Sequence, residues 1–225
     1  MTERLGSAVA TGPFMNMIYR VDAVGSSALP KLIGSYESEL HPMIRQLTDS
    51  KFNTIVDVGC AEGYYAVGLA LLMPEVSHVY AFDTDPIARE ECRKLAQANG
   101  VGERVVIKGE CRAEYLDEIL APLSLLIMDC EGCEEFLLDL SLVPNLRSTT
   151  IVVECHDFIV PQVSLRIAER FRDTHSIENI RSEDRNTSCY PLLGFLSDSD
   201  IAVALCEFRP PGQQWTILRP KKPAA

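Results

Sequence analysis

From Asn53 onward, short β-branched runs alternate with helical stretches, and this alternation leaves few folds open. The runs Thr54 to Val58, His78 to Asp83, Arg104 to Ile107, Ser124 to Asp129 and Thr149 to Glu154 read as five strands. Between and after them, Gly63 to Met73, Asp85 to Asn99, Arg112 to Leu120, Glu134 to Leu140 and Val163 to Phe171 read as helices. Gly100 and Gly102 close the second of these helices. Near-continuous apolar strands separated by helices imply a parallel sheet covered on both faces. Right-handed crossovers then give an α/β doubly wound sheet, with ligands at the carboxyl ends of the strands. After His175 the pattern weakens into a sixth strand at Ser176 to Ile180, a helix at Ser199 to Glu207 and a last strand at Trp215 to Leu218. Arg209 to Gly212 reads as a connector and Pro220 to Ala225 as a frayed tail. The expectation is a mostly parallel seven-stranded sheet.

The first 50 residues lack this alternation. Leu40, Met43, Ile44 and Leu47 are spaced like one helix face, so residues 1–50 read as a helical extension, a lid or wall on a main unit at 51–220. Both are expected to form one structural domain. The net charge of −11 disfavours a phosphate backbone or an anionic membrane as partner. No apolar run reaches the ~20 residues of a membrane span, and Met1 to Ala10 lacks the order of a signal peptide. Eight cysteines without a compact framework then read as free thiols of a cytoplasmic protein. A small-molecule substrate is the expected partner, with a homodimer left open.

Val56-Asp57-Val58-Gly59-Cys60-Ala61-Glu62-Gly63 joins the first strand to the first helix. Gly59 suits a tight turn and Gly63 a close helix approach, with backbone N–H groups facing a ligand. Asp83 ends the next strand where a ribose would sit, since a carboxylate accepts two hydroxyl hydrogen bonds. Together they indicate an adenosine-type ligand.

These residues, with Ala81-Phe82-Asp83 and Leu126-Ile127-Met128-Asp129, resemble the class I S-adenosylmethionine-dependent methyltransferases over about Phe52 to Leu218. The family's usual middle glycine is Ala61 here. An NAD-binding Rossmann domain is the rival, with a stricter glycine triplet. The resemblance implies S-adenosylmethionine as cofactor, with Asp57, Gly59, Ala61 and Gly63 beside its methionine part. It implies Asp83 on the ribose, Thr84 and Asp85 on the adenosine side, Glu110 and Cys111 near adenine, and Asp129 beside the methyl donor. The stretch Asp129-Cys130-Glu131-Gly132-Cys133-Glu134, with Glu154-Cys155-His156 and Glu207-Phe208-Arg209-Pro210, is similar to FkbM-like methyltransferases. That group acts mostly on hydroxyls of sugars and natural products.

His156 follows the fifth strand within a cluster of Glu154, Asp157 and Asp129, so His156, Asp129 and Glu154 are the candidate catalytic groups. Tyr36, Glu37 and His41, with Glu131, are the candidate acceptor contacts; Glu37 and His41 would share a helix face, the alternative being a solvated one. Asp129, Glu154 and His156 would also suit a divalent ion that lowers a hydroxyl's pKa, although a metal-free site is favoured. The Cys130–Cys133 pair lacks the second CxxC of a zinc site. The leading expectation is O-methylation of a small molecule. The alternatives are aminocarboxypropyl transfer or cyclisation of the same cofactor, and a non-enzymatic nucleotide-binding module.

Overall fold

In the computed structural model, which describes residues 6–210 and 212–221, the β-branched runs form strands β1 (Thr54–Val58), β2 (His78–Phe82), β3 (Val105–Lys108), β4 (Ser124–Met128) and β5 (Thr150–Cys155). With β6 (His175–Arg181) and β7 (Gln214–Pro220) they make one sheet of order β3-β2-β1-β4-β5-β7-β6. β1 to β5 pair in parallel, whereas β7 runs antiparallel to both β5 and β6. The sheet is therefore mixed. β7 returns from β6 on the same edge, so it enters the gap beside β5 in the reverse direction without a crossover. Pro220 belongs to this strand rather than to a frayed tail. It pairs opposite His175, beyond the register shared with β5, where its missing N–H breaks no bond to that neighbour. Lys222 to Ala225 lie outside the described residues.

The helices are α1 (Ala28–Ile33), α2 (His41–Thr48), α3 (Tyr64–Leu72), α4 (Pro86–Ala98), α5 (Ala113–Ile119), α6 (Glu134–Leu137), α7 (Val163–Phe171) and α8 (Asp198–Leu205). Asp85 starts α4 by accepting from the Ile87 N–H at 2.8 Å, with Pro86 in the first turn. Alternation along the strands divides the core into two layers. Ile55 and Ile127 pack with α3 and α4, while Val56, Val58, Leu126 and Met128 pack with α5 and α7.

Phe14, Met17, Tyr36, Leu40, Ile44 and Leu47 join the α3–α4 layer, so the N-terminal residues build the main core rather than lie outside it. Phe14 meets Tyr64 of α3 edge-on at 5.1 Å between ring centroids. The expected helix from Tyr36 is shorter: a 3-10 turn at Ser38–Leu40 leads into α2. Glu37 precedes that turn at φ 48°, so Glu37 and His41 share no helix face, and both are buried. Among the described residues no helix is long and apolar enough to cross a membrane.

Candidate functional site

At the carboxyl ends of β1, β2 and β4 lies a cleft of about 700 Å³. Its floor is the turn after β1. Gly59 has φ 84°, and a Cβ there would stand 1.7 Å from the Asp129 carbonyl oxygen, so only glycine fits. Ala61 holds φ 48°, a left-handed conformation that explains why glycine is usual at that place. Gly63 caps α3 at φ 92°. The Gly59 and Cys60 N–H groups both donate to the Phe82 carbonyl at 2.9 Å. Asp83 closes the turn: one carboxylate oxygen accepts from Ala61 N–H at 2.8 Å and the other from Asp85 N–H at 2.9 Å. Each oxygen keeps a lone pair for a ligand hydroxyl.

Asp57 is buried, and its Oδ2 has no hydrogen-bond partner. Burial first, then the Asp129 charge, pushes its carboxyl up to about 8. A buried orphaned carboxylate oxygen on the cleft wall fits a ligand ammonium group. Thr84, Glu110 and Cys111 line the cleft, with Glu110 exposed and 3.0 Å from Arg112. Asp85 does not line it, because its carboxylate is committed to the α4 cap.

At the β4–β5 end, Asp129 faces the cleft with its side chain 34% exposed, and Glu131 lies beside it. His156 and Glu154 are buried behind Asp129. The His156 Nδ1 lies 2.6 Å from Glu134 Oε1, while Nε2 faces Asp129 Oδ1 at 3.4 Å and Glu154 Oε2 at 3.8 Å. Burial pulls the imidazole down, but the Glu134 hydrogen bond and the Asp129 charge outweigh it and leave it above its ordinary value. Asp157 points elsewhere, accepting from Ser164 N–H at 3.2 Å. Glu154 accepts from Arg209 Nη2 at 2.8 and 2.9 Å, and burial followed by the Asp129 charge raises it to about 10. The same Nη2 lies 2.6 Å from Glu37, which also accepts from the Tyr65 hydroxyl.

The acceptor contacts read from the sequence separate in space. Tyr36 lines the cleft, Glu37 is tied to Arg209 beneath it, and His41 turns away, its Nε2 3.2 Å from the Tyr36 carbonyl oxygen. The N-terminal wall is built instead by Val24, Gly25, Ser26 and Lys31. Lys31 pairs with Glu62, which also accepts from the Tyr19 hydroxyl at 2.8 Å and from Val24 N–H at 3.1 Å. Nothing local in the sequence marks these long-range pairs. One thiol reading is also corrected. Cys130 and Cys133 form a disulfide in the cleft wall, because Glu131 and Gly132 at φ 50° and 114° fold the CxxC segment back on itself.

No protein-family model matches the chain. It is 49% identical over 69 residues to the probable cobalt-precorrin-6B C(15)-methyltransferase (decarboxylating) of Pyrobaculum aerophilum, 31% of this chain and 35% of that protein. Over 55 residues it is 44% identical to the ribosomal protein L11 methyltransferase of Alkalilimnicola ehrlichii, 24% of this chain and 18% of that protein. The chain thus spans about a third or less of the length of these curated relatives. Among solved structures, the precorrin-6y C5,15-methyltransferase of Geobacter metallireducens superposes with a TM-score of 0.55 at 12% identity, covering 88% of this chain and 93% of that one. The precorrin 8w decarboxylase of Methanobacterium thermoautotrophicum gives 0.52 at 19% identity, over 80% and 89%. These likenesses show the fold: the Rossmann-like α/β fold of those proteins, with a seven-stranded sheet that is mixed here.

Proposed function

We propose that this chain is an S-adenosylmethionine-dependent methyltransferase that methylates a hydroxyl of a small molecule such as a sugar or natural product. The observation that carries the cofactor assignment is the Asp83 clamp: one oxygen holds the β1 turn through Ala61 N–H, the other accepts from Asp85 N–H, and both keep lone pairs for ribose hydroxyls. Asp57 would accept from the ammonium of the cofactor's amino-acid end, and Gly59 leaves room for close approach. The cofactor supplies an electrophilic methyl group, and the chain supplies positioning and a route for the proton. An acceptor hydroxyl would meet Asp129 first, since His156 and Glu154 lie behind it. His156 is then a positioning group for Asp129 rather than a direct contact of the acceptor.

A second reading takes its acceptor from the relatives' names, a precorrin, because that word recurs among sequence and structure likenesses. The lining of the cleft weighs against it. Five carboxylates, of Asp83, Glu110, Glu114, Asp129 and Glu131, face two cations, Lys31 and Arg112, with the raised Asp57 carboxyl beside them. Lys31 is already paired with Glu62. That balance repels an acceptor bearing several carboxylates and tolerates a neutral hydroxyl compound.

The test has two arms. Calorimetry should show S-adenosylhomocysteine binding, weakened by roughly 1–3 kcal/mol in Asp83→Ala. Mass spectrometry against hydroxylated metabolites should then show S-adenosylhomocysteine with an O-methylated product. Methylthioadenosine would point to aminocarboxypropyl transfer or cyclisation, and equal affinity in Asp83→Ala would overturn the clamp assignment.

A further inference from the structure

We infer that Asp129, Glu154 and His156 form a binding site for one first-row divalent cation at the inner end of the cleft. Each side chain offers one donor atom, and the three atoms lie within 4.8 Å of one another. Donors bound at about 2.0–2.2 Å to a common ion stand about 3.0–3.6 Å apart, near the 3.4 and 3.8 Å separations of His156 Nε2 from the two carboxylates. Those separations exceed a good N–H···O hydrogen bond.

The histidine supplies an independent observation. Its side chain is 4% exposed, and Nδ1 is engaged by the fully buried Glu134 at 2.6 Å. If Nδ1 carries the proton donated to Glu134, Nε2, 3.4 and 3.8 Å from the Asp129 and Glu154 oxygens, is the atom left to bind an ion. A carboxylate behind a histidine, fixing tautomer and ring orientation, is the usual support of a metal-bound imidazole. Glu134 Oε2 also accepts from Gly132 N–H at 2.8 Å, which locks the carboxylate to the loop that carries Asp129.

Charge points the same way. Glu37, Asp129, Glu134 and Glu154 converge here, and Arg209 is shared between Glu37 and Glu154. A divalent ion would balance the carboxylates that bind it in this acid-rich corner. One imidazole with two carboxylates suits Mn²⁺, Fe²⁺ or Zn²⁺ better than the all-oxygen preference of Mg²⁺. Because Asp129 is the exposed member, the ion's open positions would face the cleft, where a bound hydroxyl is acidified.

The experiment needs no cofactor and no turnover, so it stands apart from the methyltransferase reading. The full chain, stripped with chelator and desalted, is titrated with Mn²⁺ alone by electron paramagnetic resonance and with Zn²⁺ alone by calorimetry. We expect one ion per chain for at least one metal. Glu134→Gln should weaken that binding about 10–100-fold, and Asp129→Asn, at a partly exposed position, at least about tenfold. Thermal unfolding checks that both variants fold; if Glu134→Gln does not, Asp129→Asn decides. Failure of both metals to bind, or binding of undiminished affinity in a folded variant, overturns the site.

Discussion

Gly59 is the residue on which the cleft turns. Its φ of 84° lies where a side chain is strained, and the space for a Cβ is filled by the Asp129 carbonyl. Gly59→Ala should therefore cost about 2–4 kcal/mol in urea unfolding and depress S-adenosylhomocysteine affinity as the turn shifts away from β4. An alanine variant of native stability and affinity would show that the turn is not held against β4. Such residues were legible in the sequence because their constraint is local: a glycine after β1 and an aspartate after β2 each sit at a strand end. Glu134 was legible only as one acid among several. Its role depends on a histidine 22 positions away, and only the fold makes the two neighbours.

At the scale of elements, periodicity located the strands within one or two residues, because buried β-branched runs have few other uses. It misjudged the stretch before α2, where Glu37 adopts φ 48° and breaks the helix that the apolar spacing suggested. Burial of the first turn of α2 has a measurable consequence. His41 is pulled down to about 4 by burial, against the hydrogen bond its Nε2 makes to the Tyr36 carbonyl oxygen, which works to raise it. Its folded value lies below the ordinary ~6.5, so the unfolded chain binds the proton first as pH falls. The stabilisation is thus complete above about pH 6.5 and is lost on acidification toward about pH 4, by about 1–3 kcal/mol. His175, also lowered by burial, adds a slope of the same sign. Urea unfolding at neutral pH and near the lower limit should accordingly show a smaller acid loss in His41→Gln than in the native chain. Equal losses would mean that the His41 imidazole is hydrated and titrates normally.

Across the whole molecule, the N-terminal segment and the chain after α8 are joined through two arginines whose side chains are 8% and 12% exposed. Arg185 pairs with Glu39 and Glu207, each at 2.6 Å, and the Glu37 N–H donates to Glu207 at 3.1 Å. Arg209 pairs with Glu37 and Glu154, so residues from near both ends of the described chain meet beneath the β5 end of the site. The sequence offered Glu207 and Arg209 only as a short resemblance, since ion pairs up to 172 positions apart leave no periodic trace. They change what truncation can test. Removing residues up to Leu47 strips core side chains and leaves Arg185 and Arg209 without Glu39 and Glu37, so it reports on folding more than on acceptor binding. A point change isolates the link. In Arg209→Met, the buried Glu37 and Glu154 carboxyls lose their shared donor, and removing one partner of a buried pair costs about 3–5 kcal/mol. Adding Glu37→Gln and Glu154→Gln removes the two stranded carboxyls, so the triple variant should regain a large part of the loss. Urea unfolding of the single and triple variants therefore separates a charge effect from lost packing of the arginine stem. If the triple variant is no more stable than Arg209→Met, the stem rather than the ion pairs joins the two segments.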